Sequence, residues 1–204
     1  HFDVRADGTS GGGNIFLRGQ APAGTPSSTG VWIANAGAGA TTFNSGIVTN
    51  GTGSIIIDGV SDGVDVGTGR TGVRLYKANL GVEGRQGGSI DITGANGGWA
   101  IYQDRFDGLG LIDAGGGGIS LTATTGSLYI AGDIRSDGIS DYGFAGHGGL
   151  IQLTAQDHIN VTTQGVISAN GGVGDCPDGC VPAGNGGEVK LFATNPGSTI
   201  TIDG

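Results

Sequence analysis

Apolar and other residues alternate along this chain in short bursts, and the bursts repeat. The pattern Gly-x-[Ile/Val]-x-[Ile/Leu]-x-[Gly/Ala] occurs six times, beginning at Gly13, Gly53, Gly88, Gly117, Gly149 and Gly187. Its branched pairs are Ile15/Leu17, Ile55/Ile57, Ile90/Ile92, Ile119/Leu121, Ile151/Leu153 and Val189/Leu191. Apolar side chains two apart lie on one face of an extended strand, so each copy predicts a strand with one apolar face. Successive copies start 40, 35, 29, 32 and 38 residues apart, a period that belongs to stacked repeats rather than to separate domains. A single copy cannot cover its own apolar face, so the copies must stack.

Two further strand patterns lie between the copies in the C-terminal half. Gly126-Ser-Leu128-Tyr-Ile130 and Ile159-Asn-Val161 form one set, with a weaker member near Ile101. Gly110-Leu-Ile112-Asp-Ala114, Gly132-Asp-Ile134-Arg-Ser136 and Gly165-Val-Ile167-Ser-Ala169 form the other. Three strands per repeat, with extra residues gathered at 139–148 and 172–186, predict an all-β chain. The expected form is a parallel β-helix (a solenoid) of about six coils with corner insertion loops. At one coil per ~4.8 Å strand spacing, its length is roughly 30 Å. The prediction is a single domain over 1–204, regular over 87–204 and less regular over 1–86, where Val73-Arg-Leu75-Tyr-Lys77 is the best strand. Ile15, Ile55, Ile90, Ile119, Ile151 and Val189 should form one inward stack, with their partners two residues on forming a second.

Composition supports strands and turns over helices. Of 18 acidic residues only Glu83 and Glu188 are glutamates, and aspartate suits turns where glutamate suits helices. The 47 glycines follow no every-third register, which excludes collagen, and the regular Ile, Val and Leu placement argues against disorder. A formal net charge of −9 repels phosphate backbones and anionic lipid, so nucleic-acid binding is not expected. No apolar run reaches the ~20 residues of a membrane span. The chain begins at a histidine and has no methionine, so it reads as a processed segment of something longer.

Candidate chemistry is sparse. Cys176 and Cys180 flank Pro-Asp-Gly, a turn sequence, and a loop-closing disulfide in a secreted protein is favoured over a zinc or redox pair. Asp58, Asp62 and Asp65 fall in one Gly-rich stretch, as do Asp133, Asp137 and Asp141, and both are weak calcium candidates for which solvated turn aspartates are the competing reading. Gly67-Thr-Gly69-Arg-Thr-Gly72 matches a dinucleotide fingerprint in letters, but a strand pattern follows it instead of a helix. Asp104-Arg105-Phe106-Asp107 is the one compact acidic–basic–aromatic knot, for which surface solvation competes with catalysis. Trp32, Trp99, Tyr102, Tyr129 and Tyr142 are candidates for sugar stacking, weighed against a packing role. Thr122/Thr124, Thr162 and Thr199/Thr201 do not align as an ice-binding face requires. No catalytic residues and no cofactor are expected.

The stretch Gly115–Gly204, with its Gly-Gly-x-Ile-x-Leu-Thr-Ala openings and Ile-Ser-Ala-Asn-Gly-Gly closings, resembles the repeat regions of filamentous-haemagglutinin-like exoproteins, with cyanobacterial relatives especially similar. Gly87–Gly98 fits as well. The resemblance implies a right-handed parallel β-helix, export through an outer-membrane transporter in two-partner secretion, and a role in adhesion or a surface fibre. It carries over no functional residue. The expected function is a non-enzymatic rod segment of a secreted bacterial surface adhesin or extracellular filament. A polysaccharide-acting β-helix enzyme and a carbohydrate- or calcium-binding module are the alternatives. Expected partners are surface glycans or proteins of host or neighbouring cells, or further copies of the chain. The opening Phe2-Asp-Val4-Arg-Ala6 and the closing Ile200-Thr-Ile202 are strand patterns without caps, so the ends are expected to meet a continuing coil or the next subunit head to tail.

Overall fold

The computed structural model describes residues 4–6, 13–21, 29–34, 46–61, 70–83, 88–105, 110–141, 144–174 and 182–203. Among these the protein is all-β, without a helix, and its strands are parallel except for one short antiparallel pair, Ser140–Asp141 with Phe144–Ala145.

The strands form three parallel ladders. The first comprises Ile15–Ala21, Ser54–Ser61, the opening parts of Ser89–Asp104 and Gly118–Ile130, then Leu150–Ala155 and Glu188–Ala193. The second comprises Thr29–Ala34, Thr71–Tyr76, the closing parts of the same two long strands, Ile159–Val161 and Ile200–Ile202. The third comprises Val4–Ala6, Gly46–Asn50, Asn79–Glu83, Leu111–Asp113, Asp133–Arg135 and Ile167–Ser168. Within each ladder the spatial order follows the chain order. Each strand therefore pairs with its counterpart one repeat later.

This register aligns like with like. Ile15, Ile55, Ile90, Ile119, Ile151 and Val189 are paired in sequence along the first ladder, and Leu17, Ile57, Ile92, Leu121, Leu153 and Leu191 form the row beside them. The second ladder contributes Val31, Val73, Ile101, Leu128, Ile159 and Ile200. The third contributes Ile47, Leu80, Ile112, Ile134 and Ile167. The middle members of these rows are buried and join in one apolar cluster. Branched side chains suit such rows because each χ1-restricted residue nests on its pleated neighbour.

Val189 keeps its place in register beside Ile151 and is 44 % exposed. Three strands stand in the N-terminal part that the sequence reading does not mark: Gly46–Asn50, Asn79–Glu83 and Thr29–Ala34, each paired in register with its neighbours. Those segments lack the glycine-framed pattern, so the signal that marks the other strands is missing from them.

Polar residues enter the interior at the corners, where strand-to-strand hydrogen bonding is interrupted. Gln103 is fully buried and its Nε2 donates to the carbonyls of Gly110 (3.1 Å) and Asp133 (3.3 Å). Asn79 Oδ1 accepts from the amides of Gly110 and Leu111 at 3.3 and 3.2 Å, and Asn96 Oδ1 accepts from Gly98 at 2.7 Å. These side chains satisfy backbone groups that turning the chain would otherwise orphan. The described parts of the two insertion regions are tied to each other and within the second: the amide of Gly172 donates to Gly146 and that of Gly184 to Gly172 (each 2.8 Å), and Gly148 donates to Asn185 (2.9 Å).

Candidate functional site

Outward-facing positions alternate with the buried rows, and in the second ladder they align an unusual set of side chains. Trp32 pairs with Arg74, Arg74 with Tyr102, Tyr102 with Tyr129, Tyr129 with Asn160, and Asn160 with Thr201. Each of the first five sits between two inward residues of its strand, as Arg74 does between Val73 and Leu75, so strand parity alone puts it on the outer face.

The row is stacked along its length. The Arg74 guanidinium carbon lies 5.6 Å from the Trp32 ring centroid and 5.6 Å from that of Tyr102. Tyr102 and Tyr129 stack at 4.4 Å with planes 6° apart, and Trp99 meets both edge-on, at 6.4 and 5.3 Å. The stacking distance approximates the ~4.8 Å strand spacing, so the ladder itself sets the ring separation. Cation–π and ring–ring contacts of this kind contribute roughly 0.5–1.5 kcal/mol each. Burial, with the neighbouring Tyr129 hydroxyl and Asp104, pushes the Tyr102 phenol up to about 12, so its hydroxyl stays a neutral donor. Trp32 ends the row and is 63 % exposed. Arg70 and Lys77 flank the two ends of Arg74's strand, Lys77 lying 5.5 Å from the Tyr76 ring.

The carboxylates named from sequence serve mainly as structural ties. Asp58 stands on the strand Ser54–Ser61, not in a turn, and pairs with Arg18 at 3.2 Å. Asp133 also stands on a strand; it is nearly buried and is held by Arg105 and Arg135, each at 2.8 Å. Arg105 additionally donates to the carbonyl of the exposed turn residue Gln164 (2.6 Å), which ties Arg105 to the next repeat. Asp137 accepts from Ser168 Oγ (2.7 Å) and the Asn170 amide (2.6 Å). His147 and His158 use Nδ1 to accept from the amides of Asn185 (2.8 Å) and Thr199 (3.1 Å). Among the described residues no three His, Cys, Asp or Glu side chains gather as metal ligands. Asp62, Asp65, Asp107, Tyr142, Cys176 and Cys180 lie outside the described residues, as does the first half of the Gly67–Gly72 motif.

The first ladder's outer face aligns Thr93, Thr122 and Thr154, each at the sixth position of its copy of the repeat pattern. Asp58 precedes Thr93 in that row and Phe192 follows Thr154, so the run ends after three repeats.

The Asp113 carboxyl is driven towards its neutral form. Burial raises it above its ordinary 3.8 and Asp137 adds to the rise, against the Gly115 amide bond (2.9 Å) and Arg135. Because the folded value is the higher one, this group's stabilisation is complete below 3.8 and is lost as pH rises through the elevated folded value. Asp113→Asn keeps the acceptor for Gly115 and removes the charge, so it is expected to raise Tm at pH 7 and to make no difference at pH 3. A lower Tm for the variant at pH 7 would show that attraction to Arg135 outweighs desolvation.

Comparison with known protein families, with characterised proteins and with solved structures gives no match to this chain.

Proposed function

We propose that these residues form a right-handed parallel β-helix serving as a non-enzymatic rod segment of a secreted bacterial surface adhesin or extracellular filament. One observation carries the reading: in all three ladders each strand pairs with its counterpart in the next repeat, and members of the other two ladders intervene in the chain. That order is what a chain winding around one axis produces, with each turn adding a layer to the same apolar interior. The interior of such a rod is filled by its own side chains, which leaves recognition to the outer faces. Several of the described carboxylates, Asp58, Asp133 and Asp137 among them, bond to side chains or amides of other repeats, which suits a load-carrying scaffold better than acid–base chemistry. The likeness of Gly115–Gly204 to filamentous-haemagglutinin-like repeats supports the same reading and adds export through an outer-membrane transporter.

Negative-stain microscopy of the full-length protein from its native cells tests this. A rod of constant width is expected, lengthening by about 4.8 Å for each repeat present. Antibody against these 204 residues should label intact cells. A compact particle, or labelling only after lysis, would reject the proposal.

A further inference from the structure

His147 and His158 make the same contact, and both make it to the last repeat. The amide of Gly148 donates to the carbonyl of Asn185 (2.9 Å), and the amide of Asn185 donates back to Nδ1 of His147 (2.8 Å). The amide of Ile159 donates to the carbonyl of Thr199 (3.0 Å), and the amide of Thr199 donates back to Nδ1 of His158 (3.1 Å). In a parallel ladder the returning bond ordinarily goes to the carbonyl of the residue one earlier. An imidazole stands in for that carbonyl at both places, and at the first the carbonyl of Gly146 accepts from Gly172 instead. A backbone amide can only donate, so each Nδ1 carries a free lone pair and each ring is neutral. The two contacts sit where the chain enters Glu188–Ala193 and Ile200–Ile202, the last strands of the first and second ladders. Burial secures these strands less than their predecessors. Val189, Ile200 and Ile202 are 44, 43 and 59 % exposed, whereas Ile151, Ile159 and Val161, their partners in register, are 0, 0 and 1 % exposed. With less apolar area removed from water, hydrogen bonds carry a larger share of the local stability.

We infer that His147 and His158 form an acid-released latch: protonating both rings frees residues 185–203 from the preceding repeat while the earlier repeats stay folded. An imidazolium has donors on both nitrogens, so no rotation of the ring restores an acceptor, and N–H would face N–H. At His158 the protonated Nδ1 can turn to the Thr199 hydroxyl, 3.0 Å away, but the Thr199 amide still loses its partner. The closed form excludes the proton from Nδ1 and the open form admits it, so falling pH favours opening. Histidine is the side chain whose charge ordinarily changes between about pH 5 and 8, which sets the interval to test. Charged groups stand on the segments that pack against the rings. Around His147 they are Asp113, Arg135, Asp137, Asp141, Glu188 and Lys190, and around His158 they are Asp157 and Asp203. Asp137 and Asp157 already accept from Ser168, Asn170 and Asn195, and Glu188 pairs with Lys190. Opening uncovers Ile151, Leu153, Ile159 and Val161, the buried apolar face of the repeat before. The latch follows from local bonding and holds wherever the protein is displayed.

Hydrogen exchange read by mass spectrometry at about pH 7.5 and about pH 5.5, with labelling times scaled for the intrinsic rate, tests this on the 204-residue chain. Protection over residues 185–203 should fall at least about tenfold at the lower pH, the effect of two lost hydrogen bonds. It should return on neutralisation, with residues 89–104 and 118–135 unchanged throughout. Nitrogen NMR of the imidazoles should show a bare Nδ1 on both rings at the higher pH and two N–H groups on each at the lower. Neither measurement needs a variant. The double variant His147→Asn, His158→Asn puts a side-chain carbonyl oxygen where each Nδ1 stood, an acceptor at every pH, so it should stay protected at about pH 5.5. The charged neighbours are common to both proteins, so the comparison removes their contribution. Protection indifferent to pH, a loss spread evenly over all repeats, or rings protonated with the last repeat still closed would each overturn the inference. So would a double variant that opens as its parent does.

Discussion

Ile151→Asp is expected to leave the chain largely unfolded at 25 °C. Ile151 is fully buried, paired in register between Ile119 and Val189, and surrounded by the aliphatic rows of all three ladders. Removing the side chain alone costs about 2–5 kcal/mol, and burying an unpaired carboxylate adds further loss. Against a total stability of about 5–15 kcal/mol, the sum is decisive. Val189→Asp is the matched control one repeat on. Its exposed side chain lets the carboxylate reach water, so the cost should stay under about 1 kcal/mol. Thermal melts followed by circular dichroism compare the two directly. Equal, small effects would mean that the rows do not enclose a dry interior.

Gly126→Ala is expected to be nearly as damaging, for a backbone reason. Gly126 has φ +76° at the bend between the two halves of the strand Gly118–Ile130, where residues with a Cβ are strained by roughly 1–2 kcal/mol. A Cβ there would also overlap the carbonyl oxygens of Asn96 and Gly98 in the preceding repeat, so that backbone would have to move. Two other glycines separate these effects. Gly197 has φ +85° with open space around it, so its alanine variant should show the strain alone. Gly118 has open space and no unusual φ, so its variant should be close to neutral. A ranking of Tm losses other than 126, then 197, then 118 would refute this account.

The candidate site was only half legible beforehand. Trp32, Trp99, Tyr102 and Tyr129 were visible as rings on strand-like segments, but they are spread over almost a hundred residues. Which of them meet depends on the register of four different strands. Arg74 went unnoticed as a site residue because, read locally, it is one polar position in Val73-Arg-Leu75. Only pairing with Thr29–Ala34 on one side and Ser89–Asp104 on the other places it between two rings. The aspartates mislead for a related reason. Glycine neighbours make Asp58 and Asp133 read as turn residues, whereas strand pairing puts both on strands, Asp58 beside the distant Arg18 and Asp133 between the distant Arg105 and its own strand's Arg135.

What the sequence by itself determined is the set of inward rows. A period-two pattern names the buried face of each strand, and repetition every 29 to 40 residues names the strands that are equivalent. Both are local or periodic properties, and burying the apolar face requires that equivalent strands pair in register. The tertiary structure alone decided the contents of the outer rows, the placing of Gln103 and Asn79 at the corners, and the strands in 29–34, 46–50 and 79–83. Outward side chains are not held by the pattern that sets the register; they are carried to their neighbours by inward residues that fit. Their meeting is thus a consequence of register across repeats, which no single stretch of sequence contains.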